Sequence, residues 1–185
     1  AARAPGAASA APLRSGRPNR NKVLALLPSK GLTAVVARTE IVEVKSKQVL
    51  FLPEERLEYV HFPDNCVISL VTVMEDGDQV EAMTVGSDGF PEIPVFHGVE
   101  NSSNKGIGQI SGTARRLSIK DFRELVEECS GLHRLLHRYA EFVFETVAQS
   151  AACNRLHVIE QRCARWLLMS EERVGRNRFD LTQEF

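Results

Sequence analysis

The rhythm of hydrophobic and polar positions changes along the chain. From Thr39 to Ile119 apolar residues alternate or fall in short runs. EIVEV alternates, and QVLFL, EYVHF and CVISLVTV are β-branched and aromatic runs of strand length. Asp76-Gly77 lies between ISLVTVM and QVEAMTV and predicts a hairpin. Gly86, Gly89, Gly98, Gly106, Gly108 and Gly112 punctuate the remainder, which ends at TARRLSI. Many short strands with closely spaced turns predict a sandwich or roll.

Helical periodicity takes over afterwards. Lys120-Asp121 opens DFRELVEEC, and Ser130-Gly131 breaks it. A long helix is then expected over 131–155. Leu132, Leu136, Tyr139, Val143, Thr146, Ser150 and Cys153 alternate steps of four and three along it, and Leu135 and Phe142 widen that stripe. Such a helix can bury one edge against a core and another against a copy of itself, so these nine residues are the expected dimer interface. VIEQRCARWLLMSEERVG follows with a helical stripe that Gly175 ends. NRFDL is strand-like, and Thr182 is a good N-cap for a helix that the chain does not complete, which predicts a continuation beyond Phe185.

Residues 1–20 are Ala, Pro, Gly, Ser and Arg without apolar periodicity, and a disordered tail is expected there. Asn21 then caps a short helix, KVLALL, stopped at Pro28. With 43% hydrophobic and 25% charged residues and a net charge of −1, the 185-residue chain reads as a soluble globular protein. No window approaches the roughly 18 apolar residues of a membrane span. Cys66, Cys129, Cys153 and Cys163 show neither CxxC pairing nor zinc-like spacing, so buried free thiols in a reducing cytoplasm are expected.

The opening VLALLP, the QVLFLPEERLEYVHFP pair, VISLV…EDGDQVEAMTVGSDGF and SAACNRLHVIEQRCARWLLMSEERVG…FDLTQEF together carry a resemblance. The chain resembles the cyclic-AMP receptor protein and fumarate–nitrate reduction regulator (Crp/Fnr) family of bacterial transcription factors. The resemblance implies an α+β, mainly β architecture: a double-stranded β-helix or jelly roll of the cyclic nucleotide-binding type over 21–130, a dimerisation helix over 131–155, and the N-terminal part of a winged helix-turn-helix over 156–185. It implies a homodimer that binds DNA in the full-length protein and answers to an unidentified small effector.

Nucleotide-binding members carry a Gly-Glu turn followed by an Arg-Ser or Arg-Thr phosphate clamp. By resemblance the ligand-binding candidates here are Gly86, Glu92, Ile93, Ser102, Ser103 and Lys105. Ser102-Ser103 stand where the clamp is expected, and Lys105 offers a point charge rather than a fork. Pro91 and Pro94 remove N–H donors nearby. Cyclic AMP is therefore not the expected ligand. The N-terminal segment has no cysteine, so no iron–sulfur cluster is expected. By the same resemblance, DNA-backbone contacts are expected from Arg173, Arg176, Arg178 and Thr182.

His133 and His137 share a helical face, but RLL between them lacks the HExxH glutamate, and a plain polar face is the expected role. No metal is expected. Glu54-Glu55 and Glu127-Glu128 are adjacent and point apart, and Ser87-Asp88-Gly89 has no GxSxG frame, so no enzyme is expected. The alternatives are a ligand or protein-interaction module without a DNA role, and a cupin-type enzyme, for which His61 and His97 are the only β-region histidines.

Overall fold

A computed structural model describes residues 12–13, 20–176 and 178–179. Two four-stranded antiparallel sheets share one apolar core. Strands β1 (Pro12–Leu13), β2 (Glu40–Val44), β8 (Gly112–Ser118) and β4 (Tyr59–Pro63) form the first, in that order. Strands β3 (Val49–Phe51), β7 (Lys105–Ile110), β5 (Val67–Val73) and β6 (Gln79–Val85) form the second. The alternating and β-branched runs become β2 to β6. At the β5–β6 turn Gly77 takes a φ of 92°, which a side chain would strain, and Asp78 N–H donates to the Asp76 carboxylate.

The helices are α1 (Lys22–Ala25), α2 (Ser29–Arg38), α3 (Ile93–Phe96), α4 (Ile119–Glu128), α5 (Ser130–Leu156) and α6 (Ile159–Val174). Asn21 caps α1 by accepting from Leu24 N–H, Ser118 caps α4 by accepting from Asp121 N–H, and α6 ends at Gly175 in a left-handed conformation. Helix α2 has no counterpart in the sequence reading: its β-branched valines argue against a helix, yet burying Val35 and seating Gly31 on the Cys129 thiol hold it to the fold. The tail expected over 1–20 also needs correction, because Pro12 and Leu13 pair antiparallel with Val42 and Ile41. The remainder of that tail up to residue 19 lies outside the described residues. Of the strand expected at NRFDL, Arg178 and Phe179 are described and form none, and the rest lies outside the described residues.

The core joins both sheets to the N-terminal half of α5. Val60, Phe62 and Leu117 of the first sheet and Leu70, Met83 and Val85 of the second cluster with Phe90, Phe122, Leu132, Leu136 and Tyr139. Val174 of α6 packs separately on Val67 and Ile110. Helix α6 thus folds back onto the roll. No helix among the described residues is long and apolar enough to cross a membrane.

Candidate functional site

The residues linking β6 to α3, Gly86 to Glu92, contact three other parts of the molecule. Asn21 is fully buried and donates from Nδ2 to the carbonyls of Gly89 (2.8 Å) and Pro63 (3.0 Å), which stitches α1 to this turn. Tyr139 of α5 stacks on Phe90 with ring centroids 4.8 Å apart. Its hydroxyl accepts from Phe90 N–H and donates to Phe90 C=O, each at 3.0 Å. Burial pushes the Tyr139 phenol above its ordinary pKa, so it stays neutral and keeps both bonds. A Cβ at Gly89 would overlap that ring, and a Cβ at Gly86 would overlap Arg173.

Arg173 of α6 supplies the third contact. Its Nε donates to Asp88 Oδ2 at 2.9 Å, its Nη1 bonds Thr84 Oγ1, and Ser87 Oγ donates to its carbonyl at 2.8 Å. Around it, Lys22 pairs with Glu172 at 2.8 Å, and Trp166 donates to Glu81 at 3.2 Å. The lysine hydrogen bond holds the Glu172 carboxyl below its ordinary pKa. One short turn therefore grips both the long helix and the helix after it.

The expected ligand residues do not converge. Glu92 is fully buried and spent internally: it accepts from His61 N–H at 2.8 Å and from the His61 ring at 2.7 Å. A carboxylate so engaged has no free edge for a ribose, which corrects its assignment. Gly86 serves α6 packing, again not a ligand. Ile93 opens α3 half-buried, and Lys105 starts β7 opposite Val71. Ser102 and Ser103 line a cleft of about 610 Å³ with Glu54, Pro94, Val99, Glu100 and Asn101. Ser102 Oγ accepts from Asn104 N–H, and Glu100 pairs with Arg56 and Arg123 at 3.2 Å each. The lining holds carboxylates and no cation, which suits a phosphate poorly. From α3, Phe96 meets His137 edge-on at 4.9 Å, and His137 meets His133 at 4.6 Å. This cluster packs α3, whose Pro94 lines the cleft, against α5.

The expected dimer stripe is used in part within the protomer. Leu132, Leu136 and Tyr139 are buried against the roll, and Val143 packs on the same core. Leu135 and Phe142 line a groove beside α1, and Thr146 lines it too. Ser150 accepts from Arg165 of α6 at 3.3 Å, and Cys153 is buried beside it on that helix face. The assignment is corrected for Leu132, Leu136, Tyr139 and Cys153, which a second copy cannot reach. The apolar positions left open lie one residue further on: Ala140, Phe144, Val147 and Ala151, with Phe144 71% exposed. They repeat the same heptad spacing, about 100° around the helix.

Among the DNA-backbone candidates Arg173 is buried and paired, so it is corrected as well. Arg176 is exposed and donates to Ser111 C=O, Arg178 is exposed, and Thr182 lies outside the described residues. The sequence reading missed the Asp88–Arg173 tie, 85 residues apart in the chain and without any local signal. It also missed the Tyr139 hydroxyl bonds. Among the described residues no group of three or more His, Cys, Asp or Glu side chains could hold a metal ion.

No family model and no curated protein sequence matches the chain. Solved structures do match. The c-di-GMP-responsive global regulator CLP of Xanthomonas campestris aligns with a TM-score of 0.62 at 10% identity, over 81% of this chain and 86% of that one. FixK2 of Bradyrhizobium japonicum aligns at 0.60 and 12% identity, over 73% and 67%. A cyclic nucleotide-binding domain from Methylobacillus flagellatus KT aligns at 0.57 and 8% identity, over 74% and 80%. At these identities the likeness is one of fold, and it establishes that the chain has the fold of cyclic nucleotide-binding domains, followed by the long helix α5.

Proposed function

We propose that this chain is the effector-sensing and dimerisation portion of a DNA-binding transcription regulator of the Crp/Fnr type, one that does not respond to cyclic AMP. The observation that carries the reading is the Gly86–Glu92 turn, which holds α5 through Tyr139 and α6 through Arg173. A shift of that turn moves both helices together, which is the coupling a sensor needs. The regulator neighbours of the same fold support it. In this reading two protomers pair along α5 through Ala140, Phe144, Val147 and Ala151, and the full-length protein carries the DNA-reading element beyond α6. The occupied Glu92 and the acid-lined cleft argue that the effector is not a cyclic nucleotide.

Light scattering tests the pairing. The parent chain is expected at twice its chain mass, and Phe144→Glu with Val147→Glu at the single mass with an unchanged circular dichroism spectrum. A monomeric parent rejects the dimer. Calorimetric titration with cyclic AMP is expected to give no binding heat, and saturable binding contradicts the assigned specificity.

A further inference from the structure

We propose that the groove between α1, α5 and α6 binds an amphipathic carboxylate, an organic acid with an extended apolar body. The groove has a volume of about 880 Å³, within the roughly 300–1,000 Å³ range of small-molecule sites. Its apolar lining comes from Val23, Leu26, Leu135, Phe142 and Met169. Leu26, which caps the C-terminus of α1, is 73% exposed and offers apolar surface to the groove, whereas Leu24 and Leu27 beside it are buried.

The charged lining divides into used and unused groups. Lys22 is paired with Glu172, Arg173 with Asp88, and Arg165 donates to Ser150. Arg134 and Arg138 also line the groove and have no hydrogen bond or ion pair among the described residues. They stand one helical turn apart on α5, where like charges repel by about 0.2–0.5 kcal/mol. An anion between them would remove that repulsion and receive two guanidinium forks. A carboxylate head at Arg134 and Arg138 places its apolar tail along Leu135 and Phe142. Such a ligand touches α1, α5 and α6 at once and would fasten α6 to the sensor. The inference goes beyond the proposed function and does not rest on it, because the groove lies away from the exposed Phe144 face.

Decanoate, used below its micelle concentration, is the probe, with decanol and decylammonium as controls. Binding is read by calorimetry and by the fluorescence of Trp166, the sole tryptophan, which follows the lining residue Arg165 on α6. Decanoate is expected to bind saturably with one site per chain, and both controls at least about tenfold more weakly, the worth of a charge-assisted hydrogen bond. Arg134→Ala with Arg138→Ala should lose about tenfold or more in affinity while keeping the parent melting temperature, since both side chains are exposed. Phe144→Glu should bind as the parent does, which separates this site from the dimer face. Equal binding of decanol, or unchanged affinity in the double variant, overturns the proposal. So does decanoate binding that disappears as protein concentration rises, because a second copy would then be the occupant.

Discussion

Glu92 has no exposed surface, and both of its oxygens serve His61. Replacing it by Ala leaves the His61 N–H and ring without an acceptor. Glu92→Ala is expected to lower stability by about 2 kcal/mol, the cost of orphaning buried donors, without creating nucleotide binding. Urea denaturation checks the first expectation, and an unchanged midpoint contradicts it. Asp64 makes a pH-dependent case. Burial pushes its carboxyl above the ordinary value, against the Arg20 N–H bond and the Arg115 charge that pull it down. The folded state therefore keeps the proton to higher pH than the unfolded chain does. Its contribution to stability falls as pH rises from about 4 toward the raised value. Asp64→Asn should thus gain stability relative to the parent across that interval in a pH series of urea midpoints, and parallel curves would contradict the assignment. Residue roles of this kind were scarcely legible in the sequence. Glu92 reads equally well as a ligand group or an internal acceptor, and only the proximity of His61, 31 positions away, decides between them.

At the scale of elements, α5 shows what a periodic pattern conveys and what it omits. Its heptad was visible in the sequence, but the helix carries two apolar stripes one residue apart. Leu132, Leu136 and Tyr139 are the bulkier set and are drawn into the roll, leaving Ala140, Phe144, Val147 and Ala151 outside. Leu136→Glu should therefore unfold the roll, whereas Phe144→Glu should leave the melting temperature near that of the parent. Thermal denaturation distinguishes them, and similar losses in both would contradict the division of faces. Helix α6 was legible as a helix, though its seat on the roll was not, because contacts distant in the chain set it, those of Arg173 together with those of Val174 and Trp166. Arg173→Ala removes the contacts to Asp88 and Thr84 and empties the space that Gly86 leaves. The change is expected to cost about 2 kcal/mol locally and to expose α6. Faster amide exchange across Ile159–Val174, with the strands unchanged, is the predicted reading; uniform exchange would contradict a local seat.

For the whole molecule, the strand runs, the Asp76-Gly77 hairpin and the helix succession led to the roll and its long helix without any close relative. That order of elements survives at 8–12% identity to the solved structures described above because it depends on pattern and on turn chemistry rather than on particular side chains. The proposed dimer joins two such rolls in parallel through the open face of α5. Cysteine cross-linking tests it most directly, since a parallel two-fold seam sets each residue opposite its own copy. With Cys129 and Cys163, which are not buried, changed to serine, Ala140→Cys and Ala151→Cys are predicted to form covalent dimers on mild oxidation, while Glu141→Cys and Ala152→Cys remain monomers. Cross-linking at Glu141 and Ala152 with none at Ala140 and Ala151, or at no position, would contradict it.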